Sequence, residues 1–348
     1  MTGNTSKSGA SQNIATSIDV TSSNAITFGY VNELARPGRI IGGRHRLQAP
    51  LGAAPARSAA PARSAAPAAG AGFYGSCLWR ADSLWCGHPV LIELLDPAIA
   101  EDESLAELFA TEASAASSVA SPFVSRVLDF GVEASTPYLV TELPNTEAST
   151  AGAGFGETLA SRIAARRLPG FTDFTRLFHD LSRGVEAIHS SNLLHRDLRS
   201  DRVALLQSAG ERETPHLSFG ISKLMNDTLE LVRTMARRAV APAATPQYAS
   251  PEQVLGTAPL GPACDVWSLA VIAFECVTGE LPFVGATTGE RLVQICAGPA
   301  RVPSELASVP SGFDAWFARG VEKAPDARWA SVSEMADALV TLSPPRQS

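Results

Sequence analysis

Ten residues concentrate the chemistry of this chain: Leu193-Leu194-His195-Arg196-Asp197-Leu198-Arg199-Ser200-Asp201-Arg202. A carboxylate at Asp197 can accept a proton from a hydroxyl, the work of a general base. His195, two residues earlier, is placed to pack inward and fix the loop. The two leucines predict a strand end leading up to it, and the loop then runs five residues on to Arg202. A His-Arg-Asp tripeptide also arises by chance in a chain of 348 residues. Its meaning therefore depends on the elements that would have to hold it.

Composition bounds those elements. The formal net charge is -7 and 45% of residues are hydrophobic, enough for one large two-lobed domain or two small ones. The mild acidic balance gives no reason to expect nucleic acid or an anionic membrane as partner. The five cysteines, Cys77, Cys86, Cys264, Cys276 and Cys296, are scattered without a Cys-x-x-Cys pair, which speaks against a zinc site or a disulfide framework. They read as mostly buried thiols of a reducing, cytoplasmic compartment. His88, His179 and His189 have no ligand partners at metal spacing. No apolar segment follows a basic start, so no secretory signal is expected. The longest apolar run, Val266 to Val277, is broken by Ser268 and Glu275; it is too short for a bilayer and predicts a buried core helix.

Along the chain, residues 1–38 are rich in Ser, Thr, Asn and Gly and read as a disordered leader. Order is expected from Ile40, with a strand to Leu51. Residues 53–69 form an Ala/Pro-rich tract in which Ala-Pro-Ala-Arg-Ser-Ala occurs twice, an exposed insertion whose prolines cannot continue a ladder. Strands are predicted at 77–80 and 89–95, then a helix over 104–120, with Ser104 and Glu107 at capping-box spacing and Glu101, Asp102 and Glu103 at its positive end. Further strands at 124–130 and 138–141 flank a turn at Gly131. After a polar connector at 145–156, Phe174, Leu177, Phe178, Leu181, Val185 and Ile188 recur at helical spacing. Helices follow at about 265–277, 289–297, 312–320 and 331–342. A strand-rich half before a helix-rich half predicts an α+β, two-lobed plan: a small antiparallel lobe over 39–143, a helical lobe over 144–344 and a tail at 345–348.

Taken in order, these landmarks resemble the bacterial Ser/Thr protein kinases of the eukaryotic-like type, over roughly residues 40–343. The stretch 195–202 matches the catalytic loop H-R-D-L-x-x-x-N. Gly70, Gly72 and Gly75 align with the glycine-rich loop, and Val90-Leu91-Ile92-Glu93 with V-A-I-K. Glu112 matches the glutamate of the small lobe's helix, and Tyr138 to Glu142 the last strand before the hinge. Leu217-Ser218-Phe219-Gly220 sits at D-F-G, and Thr245 to Gln253 ends in the A-P-E element. Asp265-Val266-Trp267 opens the buried helix, and Arg328 matches the arginine that pairs with the A-P-E glutamate, here Glu252. The glycine pattern alone is weak; the ordered set is specific. The resemblance implies a protein-kinase fold, small lobe and helical lobe around one cleft.

The departures fall on the chemistry. Glu93 stands where a lysine neutralises phosphate and pairs with the helix glutamate; a carboxylate there repels phosphate and faces Glu112 as a like charge. Ser218 replaces the metal-binding aspartate and is a poor ligand for a hard cation. Arg202 replaces the metal-binding asparagine and repels a metal ion. Leu91 is larger than the alanine that packs on adenine. Counting from Thr141, the hinge keeps its acceptor at Glu142, but its donor position is Pro144, which has no N–H. Asp197 remains, with Arg199 in place of the usual lysine, and reads as a loop-holding acceptor rather than a base. His195 and Phe219 can fill the internal spine, and Asp265 can brace the loop. Thr228, Thr234 and Thr245 lie in a long activation segment with Arg233, Arg237 and Arg238 nearby, so a phosphate on Thr234 would have guanidinium partners.

The resemblance and its defects together imply a pseudokinase, a regulatory or scaffolding module for a protein partner such as another kinase or its substrate. No cofactor and no metal are expected. Two alternatives stay open: a weakly active or unconventional ATP-dependent Ser/Thr kinase using Mg, and a non-kinase transferase in the same cleft. A Lys or Arg reaching Glu112 would favour an enzyme; a cleft filled by Leu91 and the Pro144 hinge would favour a binding module.

Overall fold

The computed structural model describes residues 34–50, 77–95, 97–143, 157–206, 212–218, 247–256 and 259–342. The glycines Gly70, Gly72 and Gly75, the 53–69 insertion, Pro144 and the connector after it, Phe219, the activation-segment threonines and arginines, and the 345–348 tail lie outside them.

The small lobe is one antiparallel six-stranded sheet in the order β1-β2-β3-β4-β6-β5: β1 Ile40–Ile41, β2 His45–Pro50, β3 Cys77–Ser83, β4 Pro89–Leu94, β5 Val127–Glu133 and β6 Thr136–Glu142. Side chains alternate across a strand, and β4 shows what that does here. Val90, Ile92 and Leu94 pack on one face with Ile41, Leu47, Trp79, Ala81, Tyr138 and Val140. Leu91 and Glu93 therefore share the opposite face, and every residue from Val90 to Leu94 is buried. The two sheet margins are joined by side chains: the Gly42 N–H donates to Glu133 at 2.6 Å, and His45 lies 3.2 Å from Asp129.

A short helix α1 (Ala98–Glu101) leads into α2 (Glu103–Ser117). The large lobe holds α3 (Leu159–Ala164), α4 (Phe171–Ser190), a hairpin of β7 (Val203–Leu206) and β8 (Thr214–Leu217), α5 (Pro251–Leu255), α6 (Ala263–Thr278), α7 (Thr288–Ala297), α8 (Phe313–Gly320) and α9 (Val332–Val340). The apolar stripe of α4 is buried, as its spacing requires, against α6 and α9, with Leu177 at its margin only partly so. Helix α6 is apolar nearly all round and buried nearly all round; the Ser268 hydroxyl, its polar interruption, donates to the Tyr248 and Cys264 carbonyls. One apolar core runs through both lobes, from Phe109 and Leu139 to Phe178 and Trp267.

Several expectations need correction. Leu193 and Leu194 form no strand; α4 passes directly into an irregular loop that ends in a 3-10 turn at Ser200–Arg202. Asp102, not Ser104, caps α2, accepting the Leu105 N–H at 3.1 Å, because the helix already begins at Glu103 and takes Ser104 into its first turn. Gly131 lies inside β5, and the turn falls at Ala134 and Ser135, both with positive φ. A glycine is needed at 131 because a Cβ there would meet the Tyr138 hydroxyl at 2.9 Å. Leu34, inside the stretch read as leader, is buried with the small-lobe core. Cys264 and Cys276 are buried, but Cys86 sits exposed at the tip between β3 and β4.

Candidate active site

Asp265 organises the catalytic loop. It stands at the first turn of α6, wholly buried, and accepts the backbone N–H groups of His195 and Arg196, each at 2.8 Å, and the His189 ring at 2.8 Å. Burial alone would raise its pKa; the His189 hydrogen bond and the neighbouring imidazoles outweigh that and hold it below the ordinary value. The brace lets Arg196 keep a left-handed backbone with φ 59°. His195 is buried and held toward its neutral form by burial, against the pull of Asp265 and Asp197. Its Nδ1 accepts the Asp197 N–H at 3.3 Å, so its Nε2–H donates to the Ser218 carbonyl at 3.2 Å. The expectation that His195 packs inward and Asp265 braces the loop agrees with this geometry.

Asp197 is buried between two arginines. Arg202 Nη2 lies 3.3 Å from its Oδ2 and Arg199 Nη1 lies 3.8 Å from its Oδ1. Arg199 also donates to both Asp201 oxygens, at 2.8 and 2.7 Å. Burial would lower the Arg199 pKa, but Asp197 and Asp201 beside it hold it above the ordinary value. Pairing of β7 with β8 continues past the strand ends, where the Ser218 N–H donates to the Arg202 carbonyl at 2.9 Å. Ser218 and Arg202 are thus neighbours. The Ser218 hydroxyl is buried and has no hydrogen-bond partner among the described residues.

The small lobe closes the cleft from above. Arg196 Nη1 lies 3.9 Å from Glu112 Oε1, a link from the loop to α2. Glu93 is buried in the sheet, in register with Leu78 and Leu139. Leu91 joins Leu78 and Leu143 in a separate apolar cluster. The Glu142 N–H is taken up by the Arg126 carbonyl at 2.8 Å. Below the loop, the Ser200 and Tyr248 hydroxyls are 2.8 Å apart, Tyr248 donates to Glu275 at 2.6 Å, and Gln253 donates to the Arg196 carbonyl at 2.9 Å. Glu252 and Arg328 form a bidentate pair at 2.7 and 2.8 Å.

Sequence reasoning named Glu112, Arg196, Asp197 and Arg202 but not their pairing, and it missed Leu78, Leu143 and the Tyr248–Glu275 bond. Periodicity could have placed Leu78, since it lies opposite Glu93 across two paired strands. The side chains at the metal position do not fit a divalent ion: they offer one neutral hydroxyl and a guanidinium already engaged with Asp197. Among the described residues no group of three His, Cys, Asp or Glu could hold a metal, and no helix is long and apolar enough to cross a membrane.

Comparison with known proteins agrees with this architecture. Serine/threonine-protein kinase pkn2 of Myxococcus xanthus is 28% identical over 310 residues, covering 88% of this chain and 33% of pkn2. Serine/threonine-protein kinase PknA of Mycobacterium tuberculosis is 27% identical over 281 residues, covering 78% of this chain and 60% of PknA. The chain thus spans between a third and three-fifths of these relatives' lengths. The solved Mycobacterium tuberculosis PknI kinase domain shares the fold, with a TM-score of 0.59 at 18% identity over 88% of this chain and 99% of that one. The sequence pattern described as protein kinase domain matches residues 70–340, and the chain belongs to that family.

Proposed function

We propose that this chain is a pseudokinase, a protein-kinase fold kept as a regulatory or scaffolding module for a protein partner, without efficient phosphoryl transfer. The observation that carries the reading is the cleft face of β4. Leu91 packs with Leu78 and Leu143 where the family's alanine leaves room for adenine, and a buried carboxylate, Glu93, takes the place of the phosphate-binding lysine. A carboxylate there repels phosphate instead of attracting it. Calorimetric titration with Mg·ATP, beside an assay for transfer of labelled phosphate, tests the reading: no saturable heat and no transfer are expected. Micromolar binding with transfer abolished by Asp197→Asn would overturn it.

A second reading has one observation in its favour. Arg196 brings a cation to Glu112, which would suit a weakly active, unconventional Ser/Thr kinase like those the relatives are named for. It ranks second because this cation comes from the catalytic loop, whose backbone is tied to Asp265, and not from the strand that faces the phosphates. The module is proposed to act in the cytoplasm.

A further inference from the structure

The three arginines of the catalytic loop recur every third residue, and each meets a carboxylate: Arg196 meets Glu112, Arg199 meets Asp197 and Asp201, and Arg202 meets Asp197. Two substitutions create this balance at the metal position. Relative to the family pattern, Ser218 removes one negative charge and Arg202 adds one positive charge. The local charge therefore rises by two units, the charge that one divalent ion would supply. The two residues are also neighbours in space, joined by the Ser218 N–H to Arg202 carbonyl bond at 2.9 Å. Arg202 is 8% exposed and Asp197 4%, so their attraction is weakly screened.

We infer that Arg202 is a resident counter-cation: its guanidinium gives Asp197 the positive charge that a divalent metal brings to this position in the family, so the catalytic loop is complete without metal. Arg202 is a positioning residue in this scheme. The inference deepens the proposed pseudokinase reading by adding that its catalytic loop needs no metal, and it is independent of whether Leu91 closes the base pocket. Ser218 fits the same logic. With an aspartate there, a third carboxylate would join the cluster; with a serine, the two guanidiniums of Arg199 and Arg202 balance the two carboxylates of Asp197 and Asp201. The unpartnered hydroxyl marks a position from which a ligand group has been lost without a replacement contact among the described residues.

The test uses the full chain, with Mn²⁺ alone as probe. Electron paramagnetic resonance counts free Mn²⁺, and thermal unfolding is followed in EDTA and in Mn²⁺. The unmodified chain is expected to bind no ion saturably at one per chain and to unfold at the same midpoint in both media. Arg202→Lys, which keeps the charge, is expected to remain equally indifferent to metal. The double variant Arg202→Asn with Ser218→Asp is expected to unfold earlier in EDTA and to regain stability as it takes up one Mn²⁺. One saturable ion on the unmodified chain would overturn the inference, as would an Arg202→Lys chain that responds to metal like the double variant. Should the double variant not fold in EDTA, the unmodified and Arg202→Lys chains decide alone. Nucleotide binding by the unmodified chain that is equal in EDTA and in Mn²⁺ would support the counter-cation while sinking the closed-pocket part of the proposed function.

Discussion

Arg328 commits every face of its guanidinium to the large lobe. It pairs with Glu252 through two nitrogens and donates to the carbonyls of Ala263, Glu322 and Lys323, with the Trp267 ring 5.0 Å away. Removing one partner of a buried pair leaves the other charge uncompensated, which costs about 3–5 kcal/mol. Arg328→Ala is expected to lower the unfolding free energy from urea titration by that order, and Arg328→Lys to recover little, since an ammonium lacks the planar fork; an unchanged urea midpoint would contradict the pair's role. Two buried histidines set a second expectation. Burial is the main cause that holds His195 and His216 below their ordinary pKa. The unfolded chain then binds more protons below about pH 6.5, so stability falls as the pH drops through that value toward the depressed native ones. Glu252 and Asp265, both depressed, contribute stability above their unfolded values, lost only as the pH falls through their lower native ones. Glu275 is raised by burial and works in the opposite sense. Unfolding midpoints at pH 7.5 and 5.5 should therefore differ, and less so in His216→Asn. Equal pH dependence in parent and variant would count against a histidine origin.

Elements were legible where one period ruled them. Helix α4 and the buried α6 follow from their apolar spacing, and β4 from an apolar run bounded by Pro89. Helices α3 and α5, of six and five residues, are too short for a period to show. The pairing of Arg202 with Asp197 was illegible for another reason. Residue types give the charge of a side chain, but its partner depends on where the loop turns, and the 3-10 turn at Ser200–Arg202 directs Arg202 back onto Asp197. Close packing between helices has the same character. Gly320, the last residue of α8, would place a Cβ 2.8 Å from the Ala270 methyl of α6 and 3.2 Å from Met335. Gly320→Ala is expected to cost about 1–3 kcal/mol through overpacking. Gly289, in the first turn of α7, would place a Cβ in ordinary contact with the Thr287 hydroxyl alone, at 4.0 Å, so Gly289→Ala is expected to stabilise by about 0.4–1 kcal/mol. Thermal melts of the two variants should move in opposite directions, and a shared direction would show that helix propensity, not contact, governs both.

At the scale of the molecule, the departures from the family pattern are divided between the lobes. Glu93 belongs to the small lobe, while Arg202 and Ser218 flank the hairpin of the large one. On the proposed pseudokinase reading, no single reversal restores the site. Glu93→Lys alone supplies a phosphate partner but leaves a guanidinium at the metal position. Arg202→Asn with Ser218→Asp alone restores metal ligands under a carboxylate that repels phosphate. The triple variant combining all three is expected to bind Mg·ATP where the partial ones do not, through its phosphates and metal and more weakly than the family's alanine would allow, since Leu91 still packs where adenine would lie. Each charge-assisted contact regained contributes about 1.5–3 kcal/mol, or roughly ten- to a hundredfold in affinity. By the family pattern the hinge donor falls at Pro144, which has no N–H, and the lack of that bond would withhold about 0.5–1.5 kcal/mol. Thermal shift provides the readout, because a ligand that binds only the folded chain stabilises it by mass action. At about a hundred times the dissociation constant the gain is about 2.7 kcal/mol, on the order of 5–10 °C for a domain of this size. The unmodified chain and the partial variants should show no shift with Mg·ATP and the triple variant a saturable one. A comparable shift in the unmodified chain, or none in a folded triple variant, would place the defect elsewhere than in these three residues.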